Sequence, residues 1–254
     1  MKTGTTIEKS EIYLLNKKLR LYQPENGFRT SIDSVILAAS LPDDFKGQIL
    51  DLGCGVGGSC LPALWRLSQI EVTGIDIRNE FIELANENAV LNKLHRRANF
   101  FTGDITKLKP DENMKGYDGV ICNPPYLEDG KHIQSPSPLT RVARGSYDNT
   151  LSDWIVSARK MLKHEGMLCI IHRADWLDRI LVLLHNHFGA TEIFPIYSKP
   201  EQPAKRIVIR TRKGRKTPLK IMPGLTLMTK EGQETQSSKN IARHGLALDK
   251  CLNN

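Results

Sequence analysis

The 254-residue sequence predicts an α/β fold, a mostly parallel seven-stranded sheet with an antiparallel edge hairpin, preceded by a small N-terminal hairpin and helix. Three observations support that expectation. From Gln48 onward, short apolar runs alternate with stretches of helical periodicity, the pattern of parallel strands joined by crossover helices. The first run, Gln48-Leu52, opens directly into the glycine-rich turn Gly53-Cys54-Gly55-Val56-Gly57-Gly58. A later run, Tyr117-Cys122, ends in Asn123-Pro124-Pro125-Tyr126, where two prolines lack the N–H groups a ladder needs and stop the strand in a stiff loop. Open α/β sheets bind ligands beyond the carboxyl ends of their strands, so both turns face the place where a site belongs.

Taken in order, Ile12-Leu15 and Leu19-Gln23 flank the polar Asn16-Lys17-Lys18 and read as a hairpin. After a turn over Pro24-Gly27, Phe28-Ser34 leads into a buried helix at Val35-Ala39, so residues 1–46 form an N-terminal unit. The main domain spans 47–225. Its first strand, Gln48-Leu52, is followed by a helix near Cys60-Leu67, and its second, Glu71-Ile77, by a helix over Glu80-Leu91 with Ile82, Ala85 and Ala89 on one face. Asn99-Thr102 is the third strand and Tyr117-Cys122 the fourth. Pro136 and Pro138 keep 127–149 a long polar loop. A helix at Leu151-Leu162, a strand at Met167-His172 and a helix at Trp176-His187 follow, and Thr191-Ser198 with Lys205-Thr211 makes the edge hairpin. Residues 226–254 form a C-terminal tail, expected to be mobile from Gly232 because it is polar.

Lysine and arginine number 36 against 28 acids, a net charge of +8 that permits a polyanionic partner. Cys54, Cys60, Cys122, Cys169 and Cys251 contain no C-x-x-C pair, which argues against a disulfide framework or zinc site and fits a reducing cytoplasm. The N-terminus lacks the apolar core of a signal peptide, and the longest apolar runs are too short to span a bilayer.

Gly53, Gly55 and Gly58 satisfy G-x-G-x-x-G, and Asp76 follows about 20 residues on, so a dinucleotide turn is one reading. Asp51 discriminates. A carboxylate two residues before the first glycine would repel a pyrophosphate on that turn, but suits a ligand bearing an ammonium. Asp76 stands where it can accept from both hydroxyls of a ribose, with Ile77 beside it. After the third strand, Asp104 can accept from an adenine 6-amino group while the Ile105 N–H donates to ring N1.

The ordered set Asp51/Gly53/Gly55, Asp76, Asp104 and Asn-Pro-Pro-Tyr, each after a successive strand, resembles the Rossmann-like class I S-adenosylmethionine-dependent methyltransferases. The Asn-Pro-Pro-Tyr loop resembles that of enzymes acting on planar amines, such as adenine N6 or a glutamine amide. An exocyclic adenine amine is a poor nucleophile because its lone pair is delocalised into the ring. Two acceptors on its hydrogens, the Asn123 side-chain oxygen and the Pro124 carbonyl, favour a tetrahedral nitrogen and matter most in the transition state. Pro125 stiffens the loop and Tyr126 covers the base. Neither a metal nor a covalent nucleophile is required, and His132 and His172 need no role. Phe28-Arg29-Thr30-Ser31-Ile32-Asp33 resembles the segment that closes over the methionine end of the cofactor in such enzymes, with Thr30 and Asp33 as contacts. The alternative for Thr30, Ser31 or Asp33 is a helix N-cap.

Nine cations lie between 196 and 220, namely Lys199, Lys205, Arg206, Arg210, Arg212, Lys213, Arg215, Lys216 and Lys220, against the single acid Glu201. They read either as a solubilising edge strand or as a phosphate-binding strip beside the site, extended by Arg141 and Arg144.

From Leu19 to about Leu225 the chain resembles the bacterial tRNA1(Val) adenine(37)-N6-methyltransferase family. The resemblance rests on Gln23-Pro24, Gly27-Phe28-Arg29, Asp33-Ser34, Asp51-Leu52-Gly53-Cys54-Gly55-Val56-Gly57, Asn-Pro-Pro-Tyr and Pro203-Ala204-Lys205-Arg206. It implies S-adenosylmethionine as cofactor and tRNA as partner. Release-factor glutamine and DNA adenine methyltransferases share the loop. The helical domain of the first and the recognition domain of the second have no counterpart here. A catalytically silent RNA-binding relative is the rival of a different class.

Overall fold

A computed structural model describes residues 8–26, 29–110, 116–126 and 151–252. The chain enters through an antiparallel hairpin, β1 (Lys9–Leu14) and β2 (Leu19–Pro24). The edge of β2 docks on a helix, because the Asn88 and Asn92 amides imitate a neighbouring strand. Asn88 accepts the Tyr22 N–H at 2.7 Å and donates to the Tyr22 carbonyl at 2.9 Å. Asn92 does the same for Arg20, at 3.0 and 2.7 Å. Asn88 is fully buried, so these bonds satisfy backbone groups that would otherwise be orphaned on burial.

Among the described residues the main sheet has nine strands. β3 (Gly47–Leu52), β4 (Ile70–Asp76), β5 (Ala98–Thr102), β6 (Tyr117–Cys122) and β7 (Leu162–Arg173) run parallel in the order β5-β4-β3-β6-β7. The order reverses between β3 and β6, which opens the ligand crevice at their carboxyl ends. β9 (Arg206–Lys213) is antiparallel to both β7 and β8 (Phe188–Tyr197), as expected of an edge hairpin. Two further strands, β10 (Lys220–Ile221) and β11 (Leu225–Thr226), lie parallel to β8. Two-residue segments carry no periodicity, so the expected seven strands omit them.

Alternation along the strands builds two cores. Ile49, Ile121, Cys169, Ile171 and Val208 face α1 (Ile32–Ala39), α2 (Cys60–Arg66) and α3 (Asn79–Leu91). Leu50, Leu52, Val120, Cys122, Leu168 and Ile170 face α4 (Leu151–Met161) and α5 (Leu177–Leu184).

The expectation of a mobile tail from Gly232 is corrected. α6 (Gln236–His244) and α7 (Leu248–Leu252) pack Ile241, Leu248 and Cys251 into the first core. Thr235 caps α6 by accepting the Ser238 N–H, and Gly245 ends it at φ 66°. Arg66 donates to the carbonyls of Gly245 and Ala38, and Arg210 donates to both Asp249 oxygens at 2.8 Å. Few apolar positions suffice because two buried guanidiniums lock the helices down. All five cysteines are free and buried. No helix among the described residues is long and apolar enough to cross a membrane.

Candidate active site

The carboxyl ends of β3, β4, β5 and β6 bring the three sequence-predicted acids and Asn123 to one crevice. Leu52 pairs with both Ile75 and Cys122, and Asp76 with Thr102, so Asp51, Asp76, Asp104 and Asn123 share one end of the sheet. The turn after β3 passes through Gly53 and Gly55 at φ 62° and 54°. A Cβ on Gly53 would also lie 2.3 Å from the Trp154 ring of α4, so this residue is glycine for both conformation and space. Trp154 was not anticipated from the sequence, because nothing local to α4 marks which of its apolar residues meets the turn.

Asp76 holds the turn in place. One carboxylate oxygen accepts the Gly55 N–H at 3.0 Å, while the other accepts the Arg78 N–H and guanidinium at 3.0 and 3.2 Å. Ile77 follows, half-buried. Asp104 accepts the N–H and hydroxyl of Thr106 at 2.9 and 2.7 Å, which fixes the turn bearing the buried Ile105.

Asp51 is 2% exposed, and its Oδ2 has no hydrogen-bond partner. Burial pushes its pKa up to about 8; the Cys60 thiol opposes the rise and the charge of Asp76 adds to it. A buried carboxyl held neutral only for want of a counter-charge ionises when a cation arrives, and its free acceptor then receives that cation. Thr30 supplies a second orphan, its buried Oγ1. Its side chain also crowds Gly58, where a Cβ would sit 2.9 Å from Thr30 Cγ2 and 3.0 Å from Oγ1. The N-terminal segment therefore closes on the glycine turn. Ser31 is the N-cap residue of α1 and makes no side-chain capping bond.

Asp33 turns away from the cap as well. Its Oδ2 accepts the Tyr126 hydroxyl at 3.1 Å and the Arg206 guanidinium at 3.0 Å. Tyr126 also reaches Asn123 Oδ1 at 3.0 Å, and the Arg206 guanidinium lies over the Tyr126 ring, 4.8 Å from its centroid. Burial and the neighbouring Asp33 push the Tyr126 pKa well up, so the phenol stays a donor. Pro124 is buried and Pro125 exposed. His172, for which the sequence offered no role, meets Tyr126 edge-on at 5.1 Å with Trp176 behind it at 5.2 Å. Burial lowers its pKa to about 4, so it is a neutral wall and not a cation at physiological pH.

The basic strip is broken. Arg206 pairs with Arg173 at the carboxyl end of β7, beside Asn123, with Lys205 exposed next to it. Arg212 pairs with Met167 near the opposite end. Between them Arg210 is buried, donating to Glu192, Asp249 and the Ser40 carbonyl. A guanidinium so engaged does not reach RNA, which corrects that expectation. Arg212 and Arg215 gather around Glu165, and Lys213 donates to the Leu162 carbonyl. Arg141 and Arg144 lie outside the described residues.

The orphaned Asp51 and Thr30 oxygens, the glycine cradle and the Asp76 carboxylate together fit S-adenosylmethionine, whose methionine end bears an ammonium and whose adenosine bears a ribose diol. One consequence is measurable. Below pH 8 the Asp51 carboxyl of the empty site holds a proton, which an arriving ammonium expels, so affinity rises with pH. Between pH 6.5 and 7.5 the expected rise is severalfold, bounded by tenfold per unit. Calorimetry in two buffers of different ionisation heat should show net proton release that Asp51→Asn abolishes. A pH-independent affinity without proton release would remove Asp51 from the cation site.

Comparison with known proteins identifies the family. The methyltransferase small domain model matches residues 29–198. A tRNA1(Val) (adenine(37)-N6)-methyltransferase of Vibrio vulnificus is 29% identical over 65% of this chain and 66% of its own length. The enzyme of the same name from Parabacteroides distasonis is 25% identical over 78% of this chain and 82% of its own. Among solved structures, a predicted O-methyltransferase from Agrobacterium tumefaciens superposes with a TM-score of 0.68 at 25% identity, covering 85% of this chain and 97% of its own. A tRNA (m1A58) methyltransferase from Aquifex aeolicus shares the fold with a TM-score of 0.52 at 16% identity, covering 76% and 73%. The matched model, which covers more than half of the chain, shows that it belongs to the methyltransferase small domain family, and it is an S-adenosylmethionine-dependent methyltransferase.

Proposed function

We propose that the protein methylates N6 of an adenine in tRNA, namely adenine 37 of an anticodon loop. The observation that supports this most is the Asn123–Tyr126 loop, an amide acceptor and an aromatic ring held together beside the cofactor crevice, in a chain similar to enzymes named for that reaction. When bound, S-adenosylmethionine supplies an electrophilic methyl group on a sulfonium.

The chain's own residues prepare the amine. Without substrate, Asn123 Oδ1 accepts the Tyr126 hydroxyl at 3.0 Å. An entering amine takes over that acceptor, and Tyr126 retains Asp33 at 3.1 Å as its partner. The Pro124 carbonyl takes the second amine hydrogen, and the nitrogen lone pair is turned out of the ring system. Tyr126, braced by Arg206 and His172, limits the positions a flat base can occupy. After transfer the methylated nitrogen carries an extra proton, which it gives up to solvent. The base must leave its stack to reach this loop, which costs least in a single-stranded region.

Labelled S-adenosylmethionine offered in parallel to total tRNA, a DNA duplex and a release factor should mark tRNA alone, with the label in N6-methyladenosine at position 37 of one species. Label entering only the release factor or only DNA would overturn the tRNA reading and leave the cofactor site untouched.

A further inference from the structure

A second basic feature lies at the opposite end of the sheet. Arg159, Lys160, His164, Asn186, His187, Lys213 and Gly214 enclose an open cleft of about 400 Å³. It is assembled from the last turn of α4, the start of β7, the turn before β8 and the end of β9. Cys122 is level with Ile170, and Ile170 with Ile209, so Gly214 is five residues down β9 from the level of the catalytic loop. At about 3.3 Å per residue, and with the loop standing above Cys122, the cleft is roughly 20 Å from Asn123.

Among the described residues, its lining includes three basic side chains and two histidines, and no carboxylate. Basic residues at a helix C-terminus often serve the helix dipole. Here that role is already filled, because Lys213 donates to the Leu162 carbonyl just past the end of α4. Arg159 instead donates to His187 Nε2 at 2.7 Å, which holds its guanidinium across the cleft. Lys160 is exposed, and no partner for it is found among the described residues. Burial lowers the Lys213 pKa, and the nearby Arg159 adds to the shift. Arg212 and Arg215 stand just beyond, around Glu165.

We infer that this cleft is a second phosphate-binding site, which grips the backbone of the tRNA body while the anticodon loop occupies the crevice at Asn123. The inference rests on the tRNA reading above. The occupant follows from charge and distance: a small anion would need no second site so far from the chemistry, whereas a folded RNA presents phosphates along its whole length. The buried Arg210 splits the hairpin cations into two clusters, one at each end of the sheet, so contact is expected at two separated points.

The test compares full-length tRNA with an isolated anticodon stem-loop, using wild type and the double variant Arg159→Gln, Lys160→Gln. Wild-type methylation of full-length tRNA reports on the tRNA reading by itself. For the double variant, binding of full-length tRNA should weaken about tenfold. Its log–log salt slope should flatten by about 1.8, two duplex phosphate contacts at about 0.9 each. Stem-loop binding and cofactor affinity should stay at wild-type values. Because Arg159→Gln breaks a contact with His187, Lys160→Glu is a second variant that removes no hydrogen bond seen here and should give the same selective loss. Unchanged full-length binding and slope in both variants would overturn the inference, and so would an equal loss on the stem-loop.

Discussion

Asn123→Ala is expected to lower the single-turnover rate by about 10²–10³-fold, the usual effect of deleting one preorganised transition-state hydrogen bond. The acceptor lost is Oδ1, which the structure holds 3.0 Å from the Tyr126 hydroxyl. Tyr126 keeps its bond to Asp33, and Pro124 stays buried behind the loop, so the truncation removes an acceptor without dismantling the wall. Cofactor affinity should change little, because Asp51, Thr30 and Asp76 stand on other segments. The informative quantity is therefore the ratio of the two effects, from a rapid-quench rate at saturating cofactor and tRNA set beside calorimetry of the cofactor alone. A large loss of cofactor affinity with an undiminished rate at saturation would make Asn123 a binding residue and leave the amine without its acceptor.

The parts of the site that were legible in the sequence are those fixed by local chemistry. A strand stopped by Pro124 and Pro125 has one end, and a carboxylate at positions 51 or 76 has one place to stand when the preceding residues alternate. The parts that were not legible depend on distant pairings. Asp33 and Arg206 meet across 173 residues, and no local pattern announces that the start of α1 will face the start of β9. Asn88 and Asn92 look like ordinary helix-surface asparagines until β2 is laid against them. Arg210 shares a strand face with the apolar Val208, but so do Arg206 and Arg212, and alternation alone does not single it out. Knowing that this face is covered requires α7, whose five residues follow a polar stretch and are too few to show a helical period, so it is hidden until Asp249 is seen on the guanidinium. His172 was dismissed as an isolated histidine, although its strand ends level with the loop carrying Tyr126.

Asp76→Ala should weaken S-adenosylmethionine binding about 10- to 150-fold, the equivalent of charge-assisted hydrogen bonds of about 1.5–3 kcal/mol. The carboxylate is 4% exposed at the end of β4 and already organises the turn, with Gly55 on one oxygen and Arg78 on the other. The oxygen that holds Gly55 can accept a second bond, whereas the other already takes both the Arg78 N–H and its guanidinium, so a ribose diol adds one contact directly and gains the second as the guanidinium gives way. The variant thus loses the diol contacts and the anchor of the Gly55 N–H together, and the upper part of the range is expected. Because the ribose is common to S-adenosylmethionine and S-adenosylhomocysteine, the two should lose affinity by the same factor. Arg78→Ala separates the contributions: it removes a guanidinium from Asp76 but leaves both the carboxylate and the backbone bond to Gly55, so its loss should be much smaller. Calorimetry of both ligands against the three proteins decides the matter. An Asp76→Ala affinity equal to wild type would place the ribose elsewhere in the crevice, and a loss confined to S-adenosylmethionine would mean that Asp76 senses the sulfonium charge and not the diol.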